Sequence, residues 1–374
     1  MIILENQIVS PLLLETAVAR KIPIYYSTDE RAIYLEENAR VLTNSESCLR
    51  ILDQFSPTHP FVATSQLLKN KAEFRTLLSA AMPDYYFQLV TLEQLLSMES
   101  EAIPFPVVVK PNKGYSSIGV YIVKNEQEWD AAVQSLYADL LLIKNTYSSD
   151  VINGEEILIE AFIEGDEYAA DCYFDESGKP VTLNILKRRF LHEKDTSDRI
   201  YYTSVPIIQE IKEELEAFLL ELNKHMKIQN YPFHIEVRLS PNGIMPIEVN
   251  PLRFAGAGTT DISYYAYGIN GAGTYFSGQE PAWETVLSQD EDWFYGFFCA
   301  EIPMEITKNL IESIDHDRLY KEFSHVMEYR KINASNDRTF AVVFFKTKDM
   351  SEIDYLLELD LAQYMTQSKQ ETPV

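Results

Sequence analysis

The stretch Phe233–Pro251, FHIEVRLSPNGIMPIEVNP, constrains this chain more than any other. Two runs of alternating apolar and polar residues flank Pro-Asn-Gly, which is the pattern of a β-hairpin. With Pro241 and Asn242 central to a type I turn and Gly243 left-handed, the loop has three residues and a G1 bulge. Ser240 then faces Ile244, Glu236 stands across from Glu248, and His234 across from Asn250. Period-two alternation sends the last four to one face and Ile235, Val237, Ile247 and Val249 to the other. Like charges directly opposed on a sheet are destabilising at Cβ separations of roughly 4.5–5.5 Å. A hard divalent cation, held by carboxylate and carboxamide oxygens, would compensate. The bland alternative is a solvated face with harmless carboxylates, because a one-residue slip turns every side chain over.

Length and charge narrow the setting of this hairpin. A chain of 374 residues predicts two or three packed units. The formal charge of −25 repels polyanions, which argues against nucleic acid or an acidic membrane surface as primary partner. The tight basic cluster is LKRRF, residues 186–190. Cys48, Cys172 and Cys299 are far apart and odd in number, so they suggest neither a disulfide framework nor a metal spacing. The start, MIILENQ, lacks a basic n-region, and no apolar run reaches the ~20 residues of a membrane span. The expectation is a soluble, cytoplasmic protein.

Along the chain, residues 1–66 alternate short apolar runs (MIIL, IPIYYS, RVLTNS, PFVATS) with helix-like stretches, the rhythm of a small α/β unit. No GxGxxG follows the first run and no GxxxxGK[ST] occurs, so dinucleotide and P-loop readings lack support. Residues 67–82, LLKNKAEFRTLLSAAM, predict one amphipathic helix with Phe74, Leu77, Leu78 and Ala81 on its apolar stripe. From residue 105 strands dominate, up to a helix in IIQEIKEELEAFLLELNKHM (207–226). Aromatic-rich strand candidates and a last helix follow residue 280.

Two further segments have the chemistry of a phosphate site. FPVVVKPNKGYSSIGVYIV (105–123) joins two apolar runs by a loop with Lys113, Gly114, Ser116, Ser117 and Gly119, and Lys110 ends the first run. Glycine-freed amides, hydroxyls and ammonium groups suit an anion, although any hairpin turn can be rich in Gly and Ser. LIEAFIEGDE places Glu160 at the end of an apolar run and Glu167 seven residues on, where they could accept from an adenine amino group and ribose hydroxyls. In isolation, two ordinary strand-end carboxylates are the favoured reading.

Taken in order, these pieces resemble the ATP-grasp superfamily, in particular its carboxylate–amine (amino-acid) ligases, over residues 67–278. The ordered set is a helix lysine in NKAEFRTLL, a strand lysine in VVVKP, a loop ending SSIGV, the hinge IEAFIEGDEY and the hairpin HIEVRL…IEVNP. The resemblance implies an α/β and α+β architecture. It has a short N-terminal α/β (pre-ATP-grasp) unit at 1–66, an ATP-grasp domain at 67–278 with its lid at 105–165, and a small C-terminal α+β unit at 279–374. It implies that Lys71 and Lys110 reach nucleotide phosphates and that Ser116, Ser117 and Gly119 belong to a closing loop. Glu160 with the backbone of Ala161 and Ile163 would hold adenine, and Glu167 the ribose. Lys187 would direct a cation at the terminal phosphate, with Arg188 or Arg189 as alternatives. Glu236, Glu248 and Asn250 would bind Mg²⁺, two ions by the family pattern, with Mn²⁺ as a substitute. The family usually runs Glu-x-Asn-Pro-Arg; here Leu252 follows Pro251, so Arg253 is assigned the acylphosphate contact and Arg238 is the second candidate.

The implied activity is ATP-dependent activation of a carboxylate as an acylphosphate, followed by attack of an amine from a small molecule, amino acid or peptide. A nucleotide-binding pseudoenzyme and a kinase on the same fold are the alternative readings. The expected partners are small-molecule substrates, with a homodimer as the base-rate assembly. FAGAGTTDISYYAYGIN (254–270) is expected to border the acceptor pocket.

Overall fold

The computed structural model describes residues 1–5, 8–29, 32–113, 119–144, 153–192, 195, 197–241, 243–289, 292–333 and 338–368, with the backbone alone at 142–144 and 153–155. The N-terminal strands Ile24–Tyr26, Ile2–Leu4 and Leu42–Thr43 form a parallel sheet in that spatial order. The run PFVATS, expected as a strand, lies instead in the helix Pro60–Lys69. Pro60 opens that helix without losing a useful donor, and the His59 ring accepts from the Phe61 amide at 3.2 Å. The single helix expected over 67–82 is broken at Asn70. Asn70 closes the first helix and caps the second, Lys71–Leu78, by accepting from the Glu73 amide at 3.2 Å. The 66/67 boundary therefore cuts through a helix.

Beyond the helices lies a four-stranded antiparallel sheet in the order Phe87–Thr91, Asn153–Ala161, Val107–Lys113, Tyr121–Val123. Its first strand precedes the 105–165 segment expected as the lid. Alternation along Val107–Lys113 turns Val107 and Val109 into a small core with Trp129, Leu136, Ile157 and Ile159. That leaves Lys110 and, across the ladder, Glu160 on the opposite face.

The largest sheet has eight antiparallel strands: Gly243–Pro251, Tyr231–Ser240, Asp166–Phe174, Pro180–Arg189, Ile200–Thr203, Phe294–Glu301, Thr339–Thr347 and Val326–Lys331. The last three continue the sheet without a break, so residues 279–374 share a sheet with the preceding unit. One face packs under the helix Val205–Met226, whose Ile208, Ile211, Leu215 and Leu219 are fully buried with Ile235, Val237 and Val249. The other face carries the polar residues described below. Gly165 links the four-stranded sheet to this one at φ +114°. A Cβ there would stand 2.1 Å from the Leu239 carbonyl oxygen, so the close approach of the two strands requires glycine. No helix among the described residues is long and apolar enough to cross a membrane.

Candidate active site

The hairpin places Glu236 opposite Glu248 and His234 opposite Asn250, as alternation predicts. The route to that register differs from the expectation. Ser240 pairs with Gly243 rather than facing Ile244, and the extra residue is a bulge at Ile247, because Val237 pairs with Pro246 while Glu236 pairs with Glu248. Ile247 consequently leaves the buried row in which it was expected, while Ile235, Val237 and Val249 stay there.

The bulge has a partner. Arg75, only 2 % exposed, donates from Nη1 to the Pro246 carbonyl at 2.6 Å and from Nη2 to the Ile247 carbonyl at 3.5 Å. Its Nε donates to Glu160 Oε2 at 2.6 Å, and its guanidinium lies 4.7 Å from the Tyr85 ring centroid. Lys110 Nζ stands 2.6 Å from the other oxygen of Glu160, and Lys71 Nζ stands 3.2 Å from Glu248 Oε2. Asn112, fully buried on the Lys110 strand, accepts from the Ala72 amide at 2.9 Å and fixes the Lys71 helix against the smaller sheet. Three cations from two elements thus meet two carboxylates from two sheets.

Their ionisation follows from this packing. Burial alone would raise the Glu160 carboxyl, but Lys110 and Arg75 outweigh it and bring it down to about 2. Burial, with Lys71 and Arg75 nearby, lowers the Lys110 ammonium despite Glu160. Burial also opposes the Lys71 ammonium, yet Glu248, Glu46 and Glu160 hold it above the ordinary lysine value. Across the hairpin the two glutamates separate. Burial and the neighbouring Glu248 and Glu167 push Glu236 well up, whereas Lys71, Lys110 and Arg253 overcome burial at Glu248 and bring it to about 2.

Among the described residues no group of three His, Cys, Asp or Glu side chains is close enough to hold a metal. The donor set at the hairpin is two opposed carboxylates with the Asn250 carboxamide. That set fits a hard cation that completes its shell with water and phosphate oxygens, and the repulsion raising Glu236 is what such a cation would relieve.

The remaining expected residues are distributed as follows. Glu160 has both oxygens engaged by Arg75 and Lys110, which makes it an organiser of cations in this structure. The Ala161 carbonyl accepts from Tyr85 OH at 2.8 Å and its amide donates to Tyr86 O at 2.9 Å. The Ile163 carbonyl accepts from Arg238 Nη1 at 2.6 Å. Glu167, 7 % exposed, receives Arg188 at 2.8 Å on one oxygen and Arg238 at 3.0 Å on the other. Gly119 is left-handed at φ +71° ahead of the strand Tyr121–Val123. Ser116 and Ser117 lie outside the described residues.

Lys187 is a correction. It turns to the face opposite Glu236, pairing with the exposed Asp166 at 2.5 Å, and Arg188 takes the inward place. The cause is a second bulge: Cys172 pairs with Thr182 but Asp171 with Asn184, which shifts the strand by one residue. Arg253 lies near Glu248 because Leu252 adopts φ +56° and buries its own side chain completely. Both backbone groups of Leu252 are bonded, its amide to Pro232 O at 2.9 Å and its carbonyl to the Thr43 amide at 2.7 Å. The left-handed residue turns the chain so that the arginine one place later reaches Glu46 at 3.3 Å beside the site.

Residues 103–261 match the ATP-grasp domain family. Over this segment the chain resembles an ATP-grasp domain. The chain is 28% identical over 172 residues to a D-alanine–D-alanine ligase of Clostridium botulinum (strain Eklund 17B / Type B), covering 42% of this chain and 51% of that one. It is 24% identical over 196 residues to the D-alanine–D-alanine ligase of Bacillus anthracis, covering 52% and 58%. The matched segment spans about half the length of these relatives. The fold matches an L-amino acid ligase from Bacillus licheniformis with a TM-score of 0.65 at 18% identity, covering 99% of this chain and 98% of that chain. It also matches a biotin carboxylase from Campylobacter jejuni with a TM-score of 0.63 at 12% identity, covering 98% and 92%.

Sequence reasoning missed Arg75 and Asp171. Arg75 lies one helical turn after Lys71, so the i, i+4 rule could have put both on one face. Asp171 sits among apolar strand residues, and its bonds to His234 Nδ1 at 2.8 Å and the Ala255 amide at 2.7 Å join elements far apart in sequence.

Proposed function

We propose that the protein is an ATP-dependent carboxylate–amine ligase working through an acylphosphate. One observation carries the reading: Lys71 and Lys110, from separate elements, converge on the half-buried Glu248 of the opposed Glu236–Glu248 pair and on the buried Glu160. ATP phosphates would displace the lysines from those carboxylates, and Mg²⁺ held by Glu236, Glu248 and Asn250 would neutralise charge on the transferring group.

In the first step a carboxylate oxygen of the substrate attacks the γ-phosphorus, the bond to the β–γ bridging oxygen breaks, and ADP leaves. In the second, the amine nitrogen attacks the acyl carbon, the carbon–oxygen bond to phosphate breaks, and the nitrogen releases a proton as phosphate departs. Lys71, Lys110 and Arg253 supply positive charge where negative charge develops on the transferring phosphoryl group. Arg75 and Glu160 hold the two lysine-bearing elements in register with the hairpin. Arg188 and Arg238 keep Glu167 at the hinge side of the site.

The test is ADP release over a panel of carboxylic acids with hydroxylamine as the amine, which traps an acylphosphate as a hydroxamate. Stoichiometric hydroxamate and ADP support the ligase chemistry. A stable phosphorylated product without hydroxamate would make the protein a kinase, and ATP binding with no turnover on any acid would make it a nucleotide sensor.

A further inference from the structure

The N-terminal sheet meets Arg253 at two levels. The strand Leu42–Thr43 ends against residues 252–253: the Thr43 amide donates to the Leu252 carbonyl at 2.7 Å, and Thr43 forms a parallel bridge with Arg253. Just beyond, Glu46 opens the short helical turn Glu46–Cys48 and accepts from Arg253 Nη2 at 3.3 Å. The other oxygen of Glu46 stands 3.0 Å from Lys69 Nζ, at the end of the helix that precedes Lys71. The loop that carries Glu46 is itself fixed. Thr43 Oγ1 donates to the Ser45 carbonyl at 3.1 Å, Ser45 Oγ accepts the Ser47 amide at 3.3 Å, and Asn44 Oδ1 accepts the Glu5 amide at 2.8 Å.

Leu252 makes such support necessary. A leucine at φ +56° is strained, and a strained residue persists where its surroundings over-determine it. The Thr43 bond and the buried Leu252 side chain fix the backbone, but they leave the long Arg253 side chain its own torsions. Glu46 and the Phe254 carbonyl, which accepts from Nη1 at 3.1 Å, remove that freedom. A guanidinium has five N–H groups in a rigid fork, so two bonds aim it and the others can still meet an anion. The Glu46 side chain is 15 % exposed and that of Arg253 16 %, so water screens this pair less than an open surface bridge. With a cation on each oxygen, Glu46 is already committed as an anchor.

We propose that Glu46 is the positioning residue for Arg253. From the loop after the N-terminal sheet it aims the guanidinium at the acylphosphate, and so offsets the displacement of the arginine by one place from Asn250 and Pro251. The proposal rests on the acylphosphate reading above.

The test is a double-mutant cycle in the hydroxamate assay, at saturating MgATP and hydroxylamine, with the acid of the panel that turns over fastest. Arg253→Met should lower kcat by at least ~100-fold. Glu46→Ala should lower kcat by roughly 10- to 100-fold, because a misplaced group loses most of its effect, with the KM for ATP changed by no more than about 2-fold. In the Arg253→Met background Glu46→Ala should cost no more than about 2-fold further, since no guanidinium is left to aim. Thermal melts accompany every variant. Glu46→Gln keeps the shape, removes the charge, and carries the same cycle should Glu46→Ala unfold at the assay temperature. An equal fold-loss in both backgrounds overturns the proposal and makes Glu46 a structural residue. A loss confined to the KM of the acid overturns it too and makes Glu46 a substrate contact, and an unchanged kcat removes any role. Each of these outcomes leaves hydroxamate formation by the wild type intact. Should MgATP bind while no acid yields hydroxamate with the wild type, the acylphosphate reading itself falls and this proposal with it.

Discussion

Replacing Glu160 by glutamine tests whether the cation cluster is held together by one carboxylate. Glu160 is 2 % exposed and takes Lys110 and Arg75 at 2.6 Å each. Its carboxyl falls from 4.5 to about 2 because those two cations outweigh the burial that would raise it. At about 1.4 kcal/mol per pH unit, that drop amounts to about 3 kcal/mol of folding stability. Removing one partner of a buried pair costs about 3–5 kcal/mol in general, so two independent routes give the same size. A depressed carboxyl stabilises the fold above its unfolded value and loses that contribution as pH falls through the folded value. The difference between wild type and Glu160→Gln should therefore be complete at pH 7, start to shrink below about 4.5, and approach zero near 2. Urea unfolding followed by circular dichroism at pH 7, 5 and 4 measures it. A difference under about 1 kcal/mol at pH 7, or one that does not narrow between pH 5 and 4, would refute the assignment. Adding Arg75→Met to Glu160→Gln should cost less than the two single changes together, because the second change no longer breaks a pair.

Glu248→Gln should reduce Mg²⁺-dependent ADP release by at least ~100-fold while the circular dichroism spectrum stays that of the wild type; full turnover would remove Glu248 from the metal set. Lys187→Ala, on the far face and paired with an exposed aspartate, should change stability by no more than about 0.5 kcal/mol in a urea titration. Arg188→Ala leaves the buried Glu167 with Arg238 alone and should cost about 3 kcal/mol in the same titration; equal effects from the two would contradict the strand register. Tyr275→Phe removes a fully buried hydroxyl that accepts the Val41 amide at 2.9 Å and reaches the Asn230 carbonyl at 2.9 Å. About 2 kcal/mol should be lost, seen as a lower melting temperature.

The sequence and the structure agree most closely where an error could cancel. Pro-Asn-Gly suggested a three-residue loop, and the chain instead closes Ser240 on Gly243 and inserts its extra residue at Ile247. Either arrangement adds one residue between Ser240 and Glu248, so Glu236 meets Glu248 in both. The opposed carboxylates were thus legible although the turn was not. The same kind of insertion defeated the reading at Lys187. Phe174 pairs with Pro180 and Cys172 with Thr182; an unbroken ladder would carry that register on to set Lys187 opposite Glu167. The bulge between Cys172 and Asp171 moves every later residue by one, and Arg188 arrives there instead. Nothing local marks this bulge: Leu183 reads as an ordinary strand residue, and what it gains is the pairing of Asn184 with Asp171. Arg75 was hidden for another reason, since its acceptors at Glu160, Pro246 and Ile247 lie 85 to 172 residues away. Its value becomes visible once the bulge exposes two carbonyls on the hairpin. Parity, then, is the quantity that decides which of neighbouring cations serves the site. A chain that deletes Leu183 loses the extra residue itself, so Asn184 should stay opposite Asp171 and Arg188 opposite Glu167. In that variant Arg188→Ala, and not Lys187→Ala, should still carry the large stability loss in urea; a reversed ranking would show that Leu183 is not the extra residue.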